Sequence, residues 1–238
     1  MAVKKFLFLR DDDAAGATPE FLRLFNFLNE EKLPAVYAVI PALAEPGLVR
    51  RLKGRGAGRL FEAAQHGLRH KDHAGNRFMR QEFGPARPYA KQLADIKAGA
   101  ALMKKKFGRF FAPVFVPPFH TYNSDTAQAA AAAGLKALSA SRFNPALRGA
   151  GLKFFGTDVA VNNYGLDLRP RPLDLPKLKA DTLAALRAPG HTLGVYFHHD
   201  HLGDFEVFRS YVLFLKDLCG KGLLEPALFS KLLKFKNI

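Results

Sequence analysis

The sequence predicts an α/β fold with a parallel sheet, and three observations carry that expectation. Apolar runs of four to eight residues recur along the chain, mostly continuous rather than alternating, as in strands covered on both faces. Amphipathic segments with helical spacing lie between them, and strand alternating with helix is the pattern of parallel α/β architectures. No linker, low-complexity tract or internal repeat divides the chain, so residues 1–238 read as one domain.

Taken in order, the expected strands cover residues 5–9, 36–40, 60–64, 113–116, 136–139, 154–161 and 192–197. The first helix is announced by Thr18-Pro19-Glu20, an N-cap followed by proline in the first turn, and its apolar face is Phe21, Leu22, Phe25 and Leu28. Residues 89–107 place Leu93, Ile96, Ala100 and Met103 at helical spacing. Asn123-Ser124-Asp125 opens an alanine-rich helix over 126–133, which Gly134 closes. Helices over 178–186 and 205–218 complete the set, and residues 54–58 and 169–172 read as loops within the domain. About seven strands in 238 residues fit a barrel or a doubly wound sheet, and periodicity does not choose between them.

Composition excludes several classes. With 48% apolar and 24% charged residues the chain can bury a core, which rules out a disordered protein. No apolar run approaches the roughly 20 residues of a membrane-spanning helix. The start has two lysines and a short FLFL run before three aspartates, too little for a secretory signal, so the protein reads as cytoplasmic. The single cysteine, Cys219, allows no internal disulfide and follows an apolar run, as a buried inert thiol does. Thirty-six basic residues against 21 acidic ones give a net charge of +15. Two clusters stand out, Arg50, Arg51, Lys53, Arg55 and Arg59, then Lys104, Lys105, Lys106 and Arg109. No nucleic-acid-binding motif surrounds either, so they read as solvated basic surface rather than a specific nucleic-acid site.

The chemistry collects where α/β folds place it, at the C-terminal ends of the strands. The first strand runs into Arg10-Asp11-Asp12-Asp13, and the third into a segment holding His66, Arg69, His70 and His73. The fourth ends at Pro117-Pro118-Phe119-His120-Thr121-Tyr122-Asn123, and the seventh at His198-His199-Asp200-His201. Three consecutive aspartates repel one another unless a cation or an arginine compensates them; a solvated loop capping the next helix is the plainer alternative. His66 and His70, four apart, share a face if their loop turns helically. An aspartate with two histidines is an oxygen–nitrogen set suited to Zn²⁺ or to another divalent metal such as Co²⁺, Ni²⁺ or Mn²⁺, with positions left for water and substrate. A second carboxylate beside the ligand can act as general base, and a histidine from another strand end can protonate the leaving group. Metal-assisted hydrolysis follows from those parts; the bond hydrolysed does not.

The order of these motifs is similar to that of the polysaccharide deacetylases, the NodB-homology proteins of carbohydrate esterase family 4. They share Asp-Asp after strand one, H-x-x-x-H after strand three, a proline-rich segment after strand four and a late strand ending in L-x-H. The resemblance spans residues 6–218 and implies a distorted (β/α)₇ barrel of the NodB type. Carried over by position, it implies Asp11 as catalytic base, Asp12 with His66 and His70 as the metal ligands, and His198 as catalytic acid with His199 one register away. Asp200 and Asp174 are the carboxylates that could keep that acid charged. The family's first motif, T-F-D-D-G, stands here as Leu9-Arg10-Asp11-Asp12-Asp13, with a third acid in place of glycine. Val116 stands where the family carries an arginine that orients the base, so Arg10 or Arg69 is expected to pair with an active-site carboxylate instead. His73, Pro118, His120 and Tyr122 complete the expected surroundings, with His120 in the polar place of a divergent F-V-P-P-aromatic-polar segment. The family's aspartate-plus-tryptophan motif has no counterpart, since the chain has no tryptophan. The resemblance implies a metal-dependent hydrolase removing N- or O-linked acetyl groups from a carbohydrate. The alternative is a catalytically impaired barrel that binds an anionic glycan through its basic surface.

Overall fold

The computed structural model describes residues 4–75, 80–142, 150–164 and 170–235. In chain order the elements are β1 (Lys5–Ala14), α1 (Pro19–Glu30), β2 (Ala35–Val39), α2 (Pro46–Leu52), β3 (Phe61–His66), α3 (Tyr89–Phe107), β4 (Phe111–Val116), α4 (Ser124–Ala132) and β5 (Ala137–Ser141). The remainder are β6 (Lys153–Thr157), β7 (Val159–Ala160), β8 (Asn163–Tyr164), β9 (Pro170–Arg171), α5 (Leu175–Arg187), β10 (Thr192–His198), α6 (Phe205–Gly220), β11 (Leu224–Pro226) and α7 (Phe229–Leu232).

Successive side chains of a strand leave on opposite faces, and β1 shows what this does here. Leu7 and Leu9 join Phe21 and Leu24 of α1 in the apolar layer between sheet and helices. Phe8 joins Val36, Ala38, Ala64, Val114 and Phe155 in a second cluster on the other face. Both faces are therefore buried, which is why the strands read as continuous apolar runs. The strands run β6-β5-β4-β3-β2-β1-β10-β7, all parallel, and β11 pairs with the start of β1.

The two ends of this order meet. The Asp158 N–H, between β6 and β7, donates to the Gly194 carbonyl of β10 at 2.7 Å, and the Asp158 carboxylate accepts from the Gly194 N–H at 2.9 Å. The result is a nearly closed parallel barrel wrapped by helices and distorted at this seam, as the sequence motifs imply. Gly194 is required for the closure: a Cβ there would lie 2.3 Å from the Phe8 ring and 2.5 Å from the Gly156 carbonyl oxygen. Gly194→Ala should cost about 1–3 kcal/mol of overpacking in urea denaturation. Gly220→Ala, where a Cβ would meet nothing within 4 Å, is the control that should cost nothing.

One end of the barrel is plugged. Phe229 of α7 packs on Phe8 and Phe155, with ring centroids 5.2 and 5.1 Å apart, and buried Glu62 accepts from the Ser230 N–H at 3.0 Å. The polar strand ends lie at the opposite end.

The observed α3 has the limits its spacing predicts, and the side chain of Thr18 caps α1 by accepting from the Phe21 N–H. The expected strand over 154–161 is broken at Asp158 into β6 and β7. Residues 170 and 171, expected in a loop, form β9, while residue 169 lies outside the described residues. Cys219 is half-buried, and burial pushes its thiol up to about 11, as suits an inert group. No described helix is long and apolar enough to cross a membrane.

Candidate active site

The three aspartates go to three different places. Between β1 and β2 the register passes from Asp11 opposite Tyr37 to Ala14 opposite Val39, so β1 carries one extra residue. That bulge puts Asp13 at φ 66°, a left-handed conformation that aspartate tolerates better than most side chains. Before the bulge the alternation of the strand is kept: Arg10 and Asp12 share one face and Asp11 takes the other.

Asp11 faces outward. Both it and its partner His199 are buried, and its carboxylate accepts from the His199 backbone N–H at 2.9 Å and from Nδ1–H at 2.9 Å. Asp11, expected as the base of the site, is turned away from the histidine pair of His66 and His70: strand geometry sends it toward Tyr37 and His199, under α1. His199 goes with it, its ring edge-on to Phe21 at 5.6 Å.

Asp12 faces inward, fully buried, and is gripped by the equally buried Arg10, with Nε to Oδ1 at 2.7 Å and Nη2 to Oδ2 at 2.8 Å. Arg10 Nη1 is anchored on the Ser139 carbonyl at 3.0 Å and its hydroxyl at 2.7 Å. Burial alone would raise Asp12, but the Arg10 guanidinium together with His120, His66 and His198 outweighs it and holds the carboxyl well below the usual range. The arginine that meets an aspartate is thus Arg10. Arg69 is exposed and makes no ion pair among the described residues. His120 stands beside this pair, its Nε2 3.6 Å from Asp12 Oδ2. The Ser141 N–H donates to His120 Nδ1 at 2.9 Å, and His120 Nε2 also lies 3.1 Å from Arg10 Nη2.

Asp13, and not Asp12, meets the histidine pair. Its Oδ1 is 2.9 Å from His66 Nε2 and 3.0 Å from His70 Nε2, and the three donor atoms all lie within 4.8 Å of one another. The expected set was Asp12, His66 and His70; the carboxylate that reaches both imidazoles in this structure is Asp13, because the bulge advances the alternation by one residue. The donors suit a divalent metal. His66 Nδ1–H donates to the Val116 carbonyl at 3.0 Å, which fixes the ring and presents the Nε2 lone pair inward. Donors about 2 Å from a tetrahedral ion stand about 3.3 Å apart, so the two Asp13–histidine separations need to open by only a few tenths of an ångström. Burial pushes His66 down, but the Asp13 carboxylate against it outweighs this and the net shift is upward: the pocket favours positive charge.

His198 ends β10 directly beside Asp12 in the strand register, and its Nε2 is 3.7 Å from Asp13 Oδ2. The amide of Asn162 orients it, accepting from the His198 backbone N–H at 3.2 Å and facing Nδ1 at 2.6 Å. With the amide NH₂ donating to Nδ1, the imidazole proton sits on Nε2, toward the site. Burial pushes His198 down to about 4, so it rests neutral. The carboxylates expected beside it are elsewhere: Asp174 caps α5, and Asp200 lies 3.5 Å from His199. Of the other expected residues, Pro118 and Tyr122 are buried near this mouth, while exposed His73 only bonds Gln81 through its backbone. Asn162 and Glu82, which binds the backbone N–H groups of Leu68, Arg69 and His70, were not anticipated.

Comparison with known proteins bears on the family and the fold. The polysaccharide deacetylase family profile matches residues 3–138. No match is found among curated proteins. Among solved structures, a putative polysaccharide deacetylase from Mycobacterium smegmatis shares 16% identity at a TM-score of 0.70, covering 98% of this chain and 91% of that one. A family 4 carbohydrate esterase from Streptomyces lividans, in complex with acetate, shares 18% identity at a TM-score of 0.56 over 94% of this chain and 92% of its own. A CE4-family pseudoenzyme from Bacillus anthracis shares 13% identity at a TM-score of 0.61, covering all of this chain (100%) and 68% of that one. These structural likenesses are of fold; with the profile match over more than half the sequence, they establish that the chain belongs to the polysaccharide deacetylase family.

Proposed function

We propose that this protein is a metal-dependent deacetylase of a carbohydrate, with Asp13, His66 and His70 as metal ligands, Asp12 as the base and His198 as the acid. The observation that carries the reading is the convergence of Asp13, His66 and His70 at one strand-end mouth, with Asp12 and His198 paired beside them. A divalent ion in that place would polarise an acetyl carbonyl and acidify water. Zn²⁺ fits the two-nitrogen, one-oxygen donor set, and Co²⁺, Ni²⁺ and Mn²⁺ are the other metals to test.

The chain's own groups then divide the proton work. Asp12, ionised and fixed by Arg10, takes a proton from water. Arg10 does for Asp12 what the family's motif arginine is implied to do, but from the same strand, two residues away. His198, neutral at rest, acts as the acid in its imidazolium form: it takes up a second proton from solvent as negative charge develops on the substrate, delivers one from Nε2 to the departing nitrogen or oxygen, and returns to the neutral ring. Asn162 keeps Nδ1 of the neutral ring occupied so that its proton stays on Nε2.

The test is metal content of the purified protein followed by acetate release from acetylated glycans and oligosaccharides. About one metal per chain, with acetate release that a chelator abolishes and Zn²⁺ restores, is the expected result. Stoichiometric metal with no acetate from any acetylated carbohydrate would leave the impaired, glycan-binding barrel in its place.

A further inference from the structure

The two histidines of the proposed metal site have different supports. His66 is the last residue of β3, held by its strand and by the Val116 carbonyl. His70 has no strand around it. It lies at the end of the turn Gly67-Leu68-Arg69-His70, and the inside of that turn is filled by one side chain, Glu82.

Glu82 is 1% exposed. Its carboxylate lies 3.3 Å from the Leu68 N–H through both oxygens; Oε1 accepts from the Arg69 N–H at 2.7 Å and Oε2 from the His70 N–H at 3.1 Å. Three consecutive backbone N–H groups thus converge on one anion, which makes no ion pair among the described residues and is satisfied by backbone dipoles. The turn is built to this contact. Gly67 sits at φ 58°, and a Cβ on it would fall 2.0 Å from Glu82 Oε2 and 2.6 Å from Pro118 Cγ, so the chain closes on the carboxylate only without a side chain there. His70 itself is at φ 56°, a conformation an imidazole-bearing residue keeps only where its surroundings impose it. Its own N–H is one of the groups Glu82 binds. Without that bond the His70 backbone loses the anchor that brings Nε2 to 3.0 Å from Asp13 Oδ1.

We infer that Glu82 is a positioning residue for His70 and sets the affinity of the site for a divalent metal through it. The inference rests on the metal-site reading proposed above. Outer groups that orient metal-bound histidines commonly change affinity by about 10–100-fold.

The test is Zn²⁺ affinity of the full chain, measured by competition with a chromophoric chelator, for wild type, Glu82→Gln, His70→Ala and the double variant, each with its unfolding midpoint. Glu82→Gln replaces one acceptor oxygen by an NH₂ that opposes the backbone donors, and should weaken Zn²⁺ binding by roughly 10–100-fold. Because Glu82 acts through His70, the double variant should bind no more weakly than His70→Ala alone. Glu82→Asp, which keeps the charge and both acceptors, should retain more affinity than Glu82→Gln, and carries the comparison if Glu82→Gln does not fold. A purely structural glutamate would lower the midpoint and leave Zn²⁺ affinity unchanged, or would add its full effect to that of His70→Ala; either result overturns the inference. Zn²⁺ binding lost in His66→Ala but kept at full strength in both Glu82 variants overturns it alone. A wild type that binds no Zn²⁺ overturns the metal reading and this inference with it.

Discussion

Asp12→Asn should retain the metal of the wild-type protein while lowering turnover of an acetylated substrate by about 10²–10⁴-fold, the usual range for losing a general base. Asp13→Asn should lower metal content and turnover together. The contrast follows from where the bulge sends each carboxylate. Asp12 Oδ1 and Oδ2 are both occupied by Arg10, on the inner face of β1, whereas Asp13 alone approaches both imidazoles. Asparagine keeps the shape of Asp12 and one acceptor for Arg10, so the barrel should assemble. It leaves the fully buried guanidinium without its counter-charge, and removing one partner of such a pair costs about 3–5 kcal/mol. Turnover and metal content are therefore to be compared at a temperature where circular dichroism shows the variant folded. Metal loss in Asp12→Asn with metal retention in Asp13→Asn would return the ligand to Asp12 and remove the bulge from the argument.

The same bulge explains how far the sequence could be read. The parallel α/β class was legible because its strands are apolar on both faces and its helices carry ordinary start and stop signals, from Thr18-Pro19 to the full extent of α3, while the barrel came only from the resemblance of the motifs. Seven-residue α2 was not: its last turn holds Arg50 and Arg51, which read as part of a basic cluster rather than as the solvent face of a helix. At the candidate site, His66 and His198 stand at strand ends, where the apolar runs place them, whereas which aspartate meets the histidines depends on the bulge. A bulge adds a residue without changing composition, so a run of three identical side chains offers no mark of where the alternation slips. Glu82 and Asn162 gave no signal at all, because what they bind is backbone and a histidine distant in the chain. Three adjacent acids call for compensating partners, and the structure gives each a separate one: His199 for Asp11, Arg10 for Asp12, and the imidazoles of His66 and His70 for Asp13.

The outward pair gives the alkaline limb of stability. Burial pushes His199 down, but the Asp11 carboxylate against it outweighs this and raises the imidazole from 6.5 to about 9. Burial raises Asp11 to about 6 despite His199, so the two are an ion pair between roughly pH 6 and pH 9. A base raised in the folded state stabilises fully below its unfolded value and loses that contribution as pH rises through the folded one. The His199 contribution is therefore whole below about pH 6.5, declines above it, and is gone past about pH 9. At about 1.4 kcal/mol per pH unit, the decline amounts to roughly 3 kcal/mol. The other groups facing the pair are Tyr37, raised by burial and so neutral throughout this window, and half-exposed Asp200, 3.5 Å from His199 Nε2. Urea denaturation from pH 6.5 to 9.5 should show this loss in wild type and not in the double variant Asp11→Asn/His199→Gln, which replaces the ion pair by a neutral one of similar shape. Asp11→Ala alone leaves a buried imidazole without its carboxylate and should cost about 3–5 kcal/mol at neutral pH. The metal content of the double variant should stay at the wild-type level, because neither side chain faces Asp13, His66 or His70. Parallel pH profiles for wild type and double variant would show that the pair does not hold its charge, and loss of metal in the double variant would place it within the site rather than behind it.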